Sequence, residues 1–267
     1  MTHYLKGISS CRLFEDKGFM DKENQYTYEK LNDDISVCIS DVHRFGTDAF
    51  LLADFAKPRM KDKVCDLGTG CGIIPLVLCK RFGPRMVYGV DIQPKAIEQF
   101  ENSIQASSLK TKVIPVLSDL NSLPSDTLEP GTFDVVTCNP PYKANNAGIL
   151  SELTAEQIAR HEVLCTIDDV CKAGARLLKF GGRLLICQRP ERLADVITAM
   201  KNNGIEPKLL RFVAKNHENA PWLFLMEGKK GSKPFMKVQN TFVMYEGEEL
   251  SDELKKVYGN DYEANPS

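Results

Sequence analysis

The sequence predicts an α/β protein built on a doubly wound, mainly parallel sheet. Two patterns carry that reading. From residue 63 onward short apolar runs alternate with amphipathic segments, and glycines, prolines and acids gather just beyond the apolar runs. Parallel neighbours need helical crossovers, which the alternation supplies. The composition agrees: 267 residues, 43% hydrophobic and 26% charged with 18 Gly and 14 Pro, describe a globular chain rather than a disordered, collagen-like or disulfide-stapled one.

The elements follow in order. Two β-prone runs at 26–28 and 35–39, separated by Leu31-Asn32-Asp33-Asp34, read as a small N-terminal hairpin. Apolar residues at helical spacing over 47–56 read as a helix, with Thr47 or Asp48 as its N-cap and Pro58 just past its end. Strands are expected at 64–67, 86–90, 113–117, 133–138 and 183–187, and helices over 73–81, 94–106 and 167–179. Beyond Gly204 the runs 208–213 and 222–226 have no helix-sized crossover between them, so an antiparallel pair closes the sheet edge. Residues 235–245 offer one more strand, and the chain from Glu246 reads as a polar, partly mobile tail. As domains this gives an N-terminal extension over 1–60 packing on a catalytic domain over 61–245, then the tail over 246–267. No period of 20 to 50 residues recurs.

Several function classes drop out. The longest uncharged stretch, 67–79, has 13 residues, fewer than the roughly 18 to 20 that span a bilayer. The first thirty residues lack the apolar centre and small-residue cleavage site of a secretory signal, so a cytoplasmic protein away from membranes is expected. The nine cysteines are odd in number, spread from Cys11 to Cys187 and never spaced C-x-x-C, so they read as small buried thiols. His161 and Cys165 share a helical face, but two ligands make no zinc site, and no metal is expected. The net charge of −2 hides an asymmetry: residues 172–237 carry 14 Lys and Arg against 5 Asp and Glu. Such a block either contacts a polyanion or is a solvated face.

Two motifs carry chemistry. Asp66-Leu67-Gly68-Thr69-Gly70-Cys71-Gly72 falls between an expected strand and helix, where glycines let the backbone turn tightly and the helix start offers unpaired N–H groups. The loop reads G-x-G-x-G rather than the dinucleotide G-x-G-x-x-G, and the acid ahead of it suits a positive centre or amino group better than a pyrophosphate. Asp91, 19 residues after Gly72, closes the next strand, where a carboxylate accepts both hydroxyls of a ribose. The second motif is Asn139-Pro140-Pro141-Tyr142 at the carboxyl end of the fourth parallel strand. The prolines fix φ and set the Asn side chain and the carbonyls as rigid acceptors, while Tyr142 offers a flat stacking face. Acceptors beside a stacking ring suit a planar exocyclic amine and stabilise positive charge as its nitrogen attacks an electrophilic methyl. Singly, each motif is also compatible with a structural turn.

These residues resemble the motifs of class I S-adenosylmethionine-dependent methyltransferases, in the amino-methylating branch marked by N-P-P-Y. More closely, Arg44-Phe45-Gly46-Thr47-Asp48 followed by Leu51-Leu52-Ala53, with Ala159-Arg160-His161-Glu162 downstream, resembles bacterial tRNA1(Val) adenine-37 N6-methyltransferases. The resemblance spans roughly 35–245. It implies a seven-stranded Rossmann-like sheet, the cofactor S-adenosyl-L-methionine, and a tRNA substrate methylated at N6 of adenine. It further implies that Asp66, Gly68, Thr69 and Gly70 line the methionine part of the cofactor and that Asp91, with Ile92 beside it, holds the ribose. Asp119 and Leu120 would meet the adenine ring, and Phe45 and Thr47 would close over the cofactor. Asn139, Pro140, Pro141 and Tyr142 would hold and stack the target base. The RNA-binding candidates are Arg160, Arg189, Arg192, Lys229, Lys230 and Lys233; Arg160 and His161 either reach the RNA or decorate a helix, and the lysines either contact phosphate or keep a loop soluble.

Three rival readings remain. The glutamine-methylating branch that acts on release factors shares N-P-P-Y but places a helical domain ahead of the first motif, where this chain has 65 residues before Asp66 that read as a hairpin and one helix. A catalytically silent RNA-binding module would have no need of the intact loop and N-P-P-Y. A nicotinamide oxidoreductase requires glycine spacing that is absent.

Overall fold

A computed structural model describes residues 26–40, 44–140 and 165–259. The chain opens with the antiparallel hairpin β1 (Thr27–Lys30) and β2 (Ser36–Ile39). Its turn is set by Asn32, whose Oδ1 accepts from the backbone N–H of Asp34 and Ile35 at 3.1 and 2.8 Å. Helix α1 (Thr47–Ala56) follows. The parallel core then runs β3 (Lys63–Leu67), α2 (Ile73–Phe82), β4 (Met86–Asp91), α3 (Pro94–Gln105), β5 (Lys112–Leu117) and β6 (Phe133–Cys138). After residue 165 come α4 (Ile167–Leu177), β7 (Leu178–Gln188), α5 (Leu193–Asn202), β8 (Ile205–Ala214) and β9 (Leu223–Lys230). The short strands β10 (Lys237–Val238), β11 (Phe242–Val243), β12 (Tyr245–Glu246) and β13 (Glu249–Leu250) precede helix α6 (Asp252–Tyr258).

The main sheet has nine strands, in the order β10-β8-β9-β7-β6-β3-β4-β5 with β11 also on β8. The expected seven form its body, and the two extra strands are two-residue segments laid parallel against the edge strand β8. β3 to β7 pair in parallel, so their carboxyl ends share one edge, while β9 runs antiparallel between β7 and β8. Side chains alternate across the sheet. Val64 faces a core shared with α1, α2 and α6, whereas Cys65 and Leu67 face one shared with α4 and α5.

Local chemistry explains the starts and stops. Pro94 opens α3. Thr166 and Asp169 close a capping box on α4, and Leu178 ends that helix in an extended conformation, two residues earlier than the apolar pattern suggests. The hairpin docks on α3, where the backbone N–H of Cys38 donates to Ser103 Oγ at 2.8 Å.

Three expectations are corrected. Neither Thr47 nor Asp48 caps α1: Gly46 is the N-cap, because both side chains are engaged elsewhere. Helix α5 is absent from the expected elements; it buries Val196, Ala199 and Met200 and packs Leu193 and Ile197 beside them. The polar tail is also revised over its described part, since Ser251 caps α6 and that helix buries Leu254, Val257 and Tyr258.

Candidate active site

The site forms where β3, β4, β5 and β6 end together. Asp66 lies one residue from the end of β3 and is only 1% exposed. Its register neighbour on β6 is Thr137, whose hydroxyl donates to Asp66 Oδ1 at 2.6 Å. By strict geometry the other carboxylate oxygen, Oδ2, and the Thr69 hydroxyl are buried without a hydrogen-bond partner, although the hydroxyl lies near enough to Asp66 to favour its ionised form. A buried polar atom left so costs about 1 to 3 kcal/mol, which an incoming donor would recover. Burial pushes the Asp66 carboxyl up to about 7; the hydroxyls of Thr137 and Thr69 draw it down, and the Asp91 charge raises it.

The glycine loop arches from β3 to α2 and is strapped to the end of β4. The N–H groups of Gly68 and Thr69 both donate to the Val90 carbonyl at 2.9 Å. Gly70 N–H donates to Asp91 Oδ2 at 2.8 Å, and Gln93 N–H donates to Asp91 Oδ1 at 2.9 Å. Each Asp91 oxygen keeps a second lone pair, so the carboxylate shapes the loop and can still accept from a diol. The third loop glycine is demanded sterically: Gly72 has φ +83°, and a Cβ there would lie 1.9 Å from the Phe100 ring.

Asp119 heads a short turn beyond β5, its Oδ1 accepting from Asn121 N–H at 2.8 Å, and Ser118 N–H donates to the Asp91 carbonyl at 2.9 Å. Ile92, 42% exposed, and half-buried Leu120 leave apolar surface beside these acids. Asn139 is the first residue after β6, and Pro140 follows it half-buried. The Asn139 amide Nδ2 donates to Asp48 Oδ2 at 3.0 Å, and the Cys187 thiol donates to Asn139 Oδ1 at 3.0 Å.

Phe45 meets Phe50 edge-on at 5.9 Å, and Phe50 meets Tyr258 at 5.2 Å. Thr47 Oγ1 and the Tyr258 hydroxyl share a hydrogen bond of 2.8 Å. Asp66, Gly68, Thr69, Gly70, Asp91, Ile92, Asp119, Leu120, Asn139 and Pro140 therefore gather along one edge, with Phe45 and Thr47 on the segment that Asp48 ties to Asn139. Pro141, Tyr142, Arg160 and His161 lie outside the described residues.

The basic candidates divide. Arg189 and Arg192 follow the carboxyl end of β7, on the edge of the site; Arg189 lies 5.5 Å over the Trp222 ring and donates to the Trp222 carbonyl, while Arg192 pairs with Asp195. Lys229 and Lys230 end the antiparallel β9 and are carried to the opposite edge, with Lys233 just beyond. Five residue steps separate Gln188–Phe224 from Arg183–Lys229, roughly 17 Å along the strand. Lys230 is moreover engaged at the end of α4, donating to the carbonyls of Ala175 and Leu178 at 2.6 and 2.7 Å.

Sequence reasoning assigns no site role to Thr137 or Cys187 and reads Asp48 as a candidate N-cap within the Arg44–Asp48 motif. A lone threonine in the apolar run of β6 is the available signal for Thr137; the contacts of Asp48 and Cys187 with Asn139 are recognisable only in the fold. Among the described residues no three His, Cys, Asp or Glu side chains are grouped to hold a metal, and no helix is long and apolar enough to cross a membrane.

Comparison with known proteins agrees with this geometry. The methyltransferase small domain model matches residues 41–201. A tRNA1(Val) (adenine(37)-N6)-methyltransferase of Phocaeicola vulgatus is 33% identical over 135 residues, covering 51% of this chain and 55% of that protein. One of the same name from Tolumonas auensis is 26% identical over 180 residues, 66% of this chain and 72% of that protein. The chain thus matches about half the length of the first relative and nearly three quarters of the second. Among crystal structures, a predicted O-methyltransferase, protein Atu636 from Agrobacterium tumefaciens, shares the fold with a TM-score of 0.64 at 17% identity, covering 79% of this chain and 96% of that one. With the acid–glycine loop and Asp91 on one sheet edge and the family model matching residues 41–201, the chain belongs to the methyltransferase small domain family.

Proposed function

We propose that the protein is an S-adenosyl-L-methionine-dependent methyltransferase that modifies the exocyclic N6 of an adenine in RNA, with adenosine 37 of tRNA1(Val) as the substrate suggested by its relatives' names. The observation that carries the cofactor assignment is the buried pair of unsatisfied oxygens, Asp66 Oδ2 and Thr69 Oγ1, under the glycine loop. An ammonium group satisfies both the charge and the missing hydrogen bonds. The residues fit the rest of the cofactor too: Asp91 has lone pairs for the ribose hydroxyls, and Ile92 and Leu120 suit the faces of a purine. When bound, the cofactor supplies an electrophilic sulfonium methyl.

The chain's own part is to orient the amine. Asn139 Oδ1 and the Pro140 carbonyl accept its two N–H groups, which turns the nitrogen lone pair outward toward the methyl. The same acceptors stabilise the positive charge that develops on the nitrogen. No general base is required, because the proton leaves once the nitrogen is cationic. Tyr142 is assigned the stacking wall.

For the RNA itself, Arg189 and Arg192 are assigned to the strand entering the pocket. The far edge supplies a second contact: Lys229, Lys233 and Lys237 are exposed in a stretch, 229–237, that holds no acid, and Phe180 and Phe235 stand 81% and 87% exposed beside them. Lysines interleaved with exposed aromatic rings suit unpaired nucleotides. Incubation with labelled cofactor and bulk tRNA, followed by nucleoside analysis, tests the whole assignment. N6-methyladenosine supports it; N1-methyladenosine, or methylglutamine in a protein substrate, overturns it.

A further inference from the structure

We infer that Asp48 is a positioning residue that fixes which face of the Asn139 amide meets the substrate; the inference rests on the methyl-transfer reading of the site. A carboxamide is pseudo-symmetric, and flipping it exchanges an acceptor oxygen for a two-proton donor. An amine donor needs the oxygen. The fold removes the ambiguity from the Asp48 side: its carboxylate can only accept, so it takes Nδ2 at 3.0 Å, and the Cys187 thiol then donates to Oδ1 at 3.0 Å. A flip would set Oδ1 against the carboxylate, two acceptors facing each other, and leave Nδ2 with a thiol sulfur that accepts only weakly.

The arrangement fixes the carboxamide with its oxygen on the side away from Asp48, the acceptor that an amine needs. It also puts a negative charge behind the amide, which strengthens Oδ1 as an acceptor and favours the nitrogen's cationic state. Asp48 is held in turn by its place in the first turn of α1, where its Oδ1 accepts from Ala49 N–H at 3.0 Å. The neighbouring Thr47 is fixed to Tyr258 of α6.

The test uses two variants and one measurement on the unaltered protein. Asp48→Asn keeps the shape but presents an amide that pairs with either face of Asn139; Asp48→Leu removes the partner altogether. Misplacement of an acceptor costs up to about 100-fold in turnover. The variants are therefore expected to lose about 10- to 100-fold in kcat, with RNA KM and cofactor affinity within about threefold of the parent. In an Asn139→Ala background, Asp48→Asn should cost almost nothing more, a coupling that a general folding role would not produce. Hydrogen exchange of the Asn139 side-chain amide, read by NMR, should be slow in the wild-type protein and faster in Asp48→Asn. Unchanged kcat, full additivity with Asn139→Ala, or fast amide exchange in the wild-type protein overturns the inference. Failure of the wild-type protein to methylate adenine in any tRNA overturns the functional reading instead, and the exchange measurement still decides whether Asp48 holds the amide.

Discussion

Replacing Asp66 with Asn should stabilise the ligand-free protein while weakening cofactor binding. Folding moves this carboxyl from 3.8 to about 7, mainly through burial. A shift of that size corresponds to a penalty of up to about 4 kcal/mol on holding the charge in the fold at pH 8. An Asn side chain carries no charge, and its oxygen can still accept from Thr137. Its amide N–H must find a partner where Oδ2 now has none; if it does not, about 1 to 3 kcal/mol is lost. The net gain at pH 8 is about 1 to 3 kcal/mol, worth about 2 to 4 °C in Tm for each kcal/mol.

The pH dependence follows from the direction of the shift. Because the folded chain binds this proton more tightly than the unfolded chain, wild-type stability falls as pH rises from about 4 to about 7 and then levels. The advantage of Asp66→Asn should therefore shrink by roughly 3 kcal/mol between pH 8 and pH 5, closing or reversing the order. Urea unfolding of both proteins at pH 5, 6, 7 and 8 measures the difference directly. Calorimetry should show S-adenosylmethionine binding weakened about 10- to 100-fold, the loss of a charge-assisted hydrogen bond. Wild-type affinity should rise with pH up to about 7, whereas the variant's stays flat. Parallel stability curves for the two proteins, or equal affinities, would refute the reasoning.

Further outcomes are expected elsewhere. Gly72→Ala combines a left-handed backbone penalty of about 1 to 2 kcal/mol with overpacking of about 1 to 3 against Phe100; an unfolding midpoint equal to wild type would contradict it. Tyr258→Phe keeps the ring against Phe50 but deletes the bond to Thr47, so a stability loss of about 0.5 to 1.5 kcal/mol should appear in thermal unfolding. Changing Lys229, Lys233 and Lys237 together to Ala should flatten the salt dependence of tRNA binding by about two units on the single-strand slope and leave cofactor affinity alone. An unchanged slope would show that the far edge does not touch RNA.

What could be read along the chain was whatever is local in it. The turn at Asn32, the helix over 47–56, the strand ends at Asp66 and Asp91 and the sharp exit at Asn139 each follow from side chains within a few positions of one another. So did the alternation that makes the sheet parallel, because a strand followed by a helix has few ways to return. Helix α5 escaped although Leu193, Val196, Ile197 and Met200 recur at helical spacing, and α6 escaped because its three buried residues sit among charges.

Tertiary structure decided the partnerships and the directions. Asp48 reaches Asn139 across 91 residues, Cys187 reaches it across 48, and Tyr258 reaches Thr47 across 211. No local preference encodes such pairs; they exist because the parallel strands deliver β6 and β7 to one edge and α1 packs over them. Direction mattered as much for the lysines. The apolar run of β9 was legible, and so was the basic loop after it, but its antiparallel course carries that loop away from the site and turns Lys230 into a brace for α4. The sequence by itself determined which residues can do the chemistry, since residue type and backbone freedom are local properties. Only the fold decided which of them meet, because proximity depends on how distant strands are ordered in the sheet.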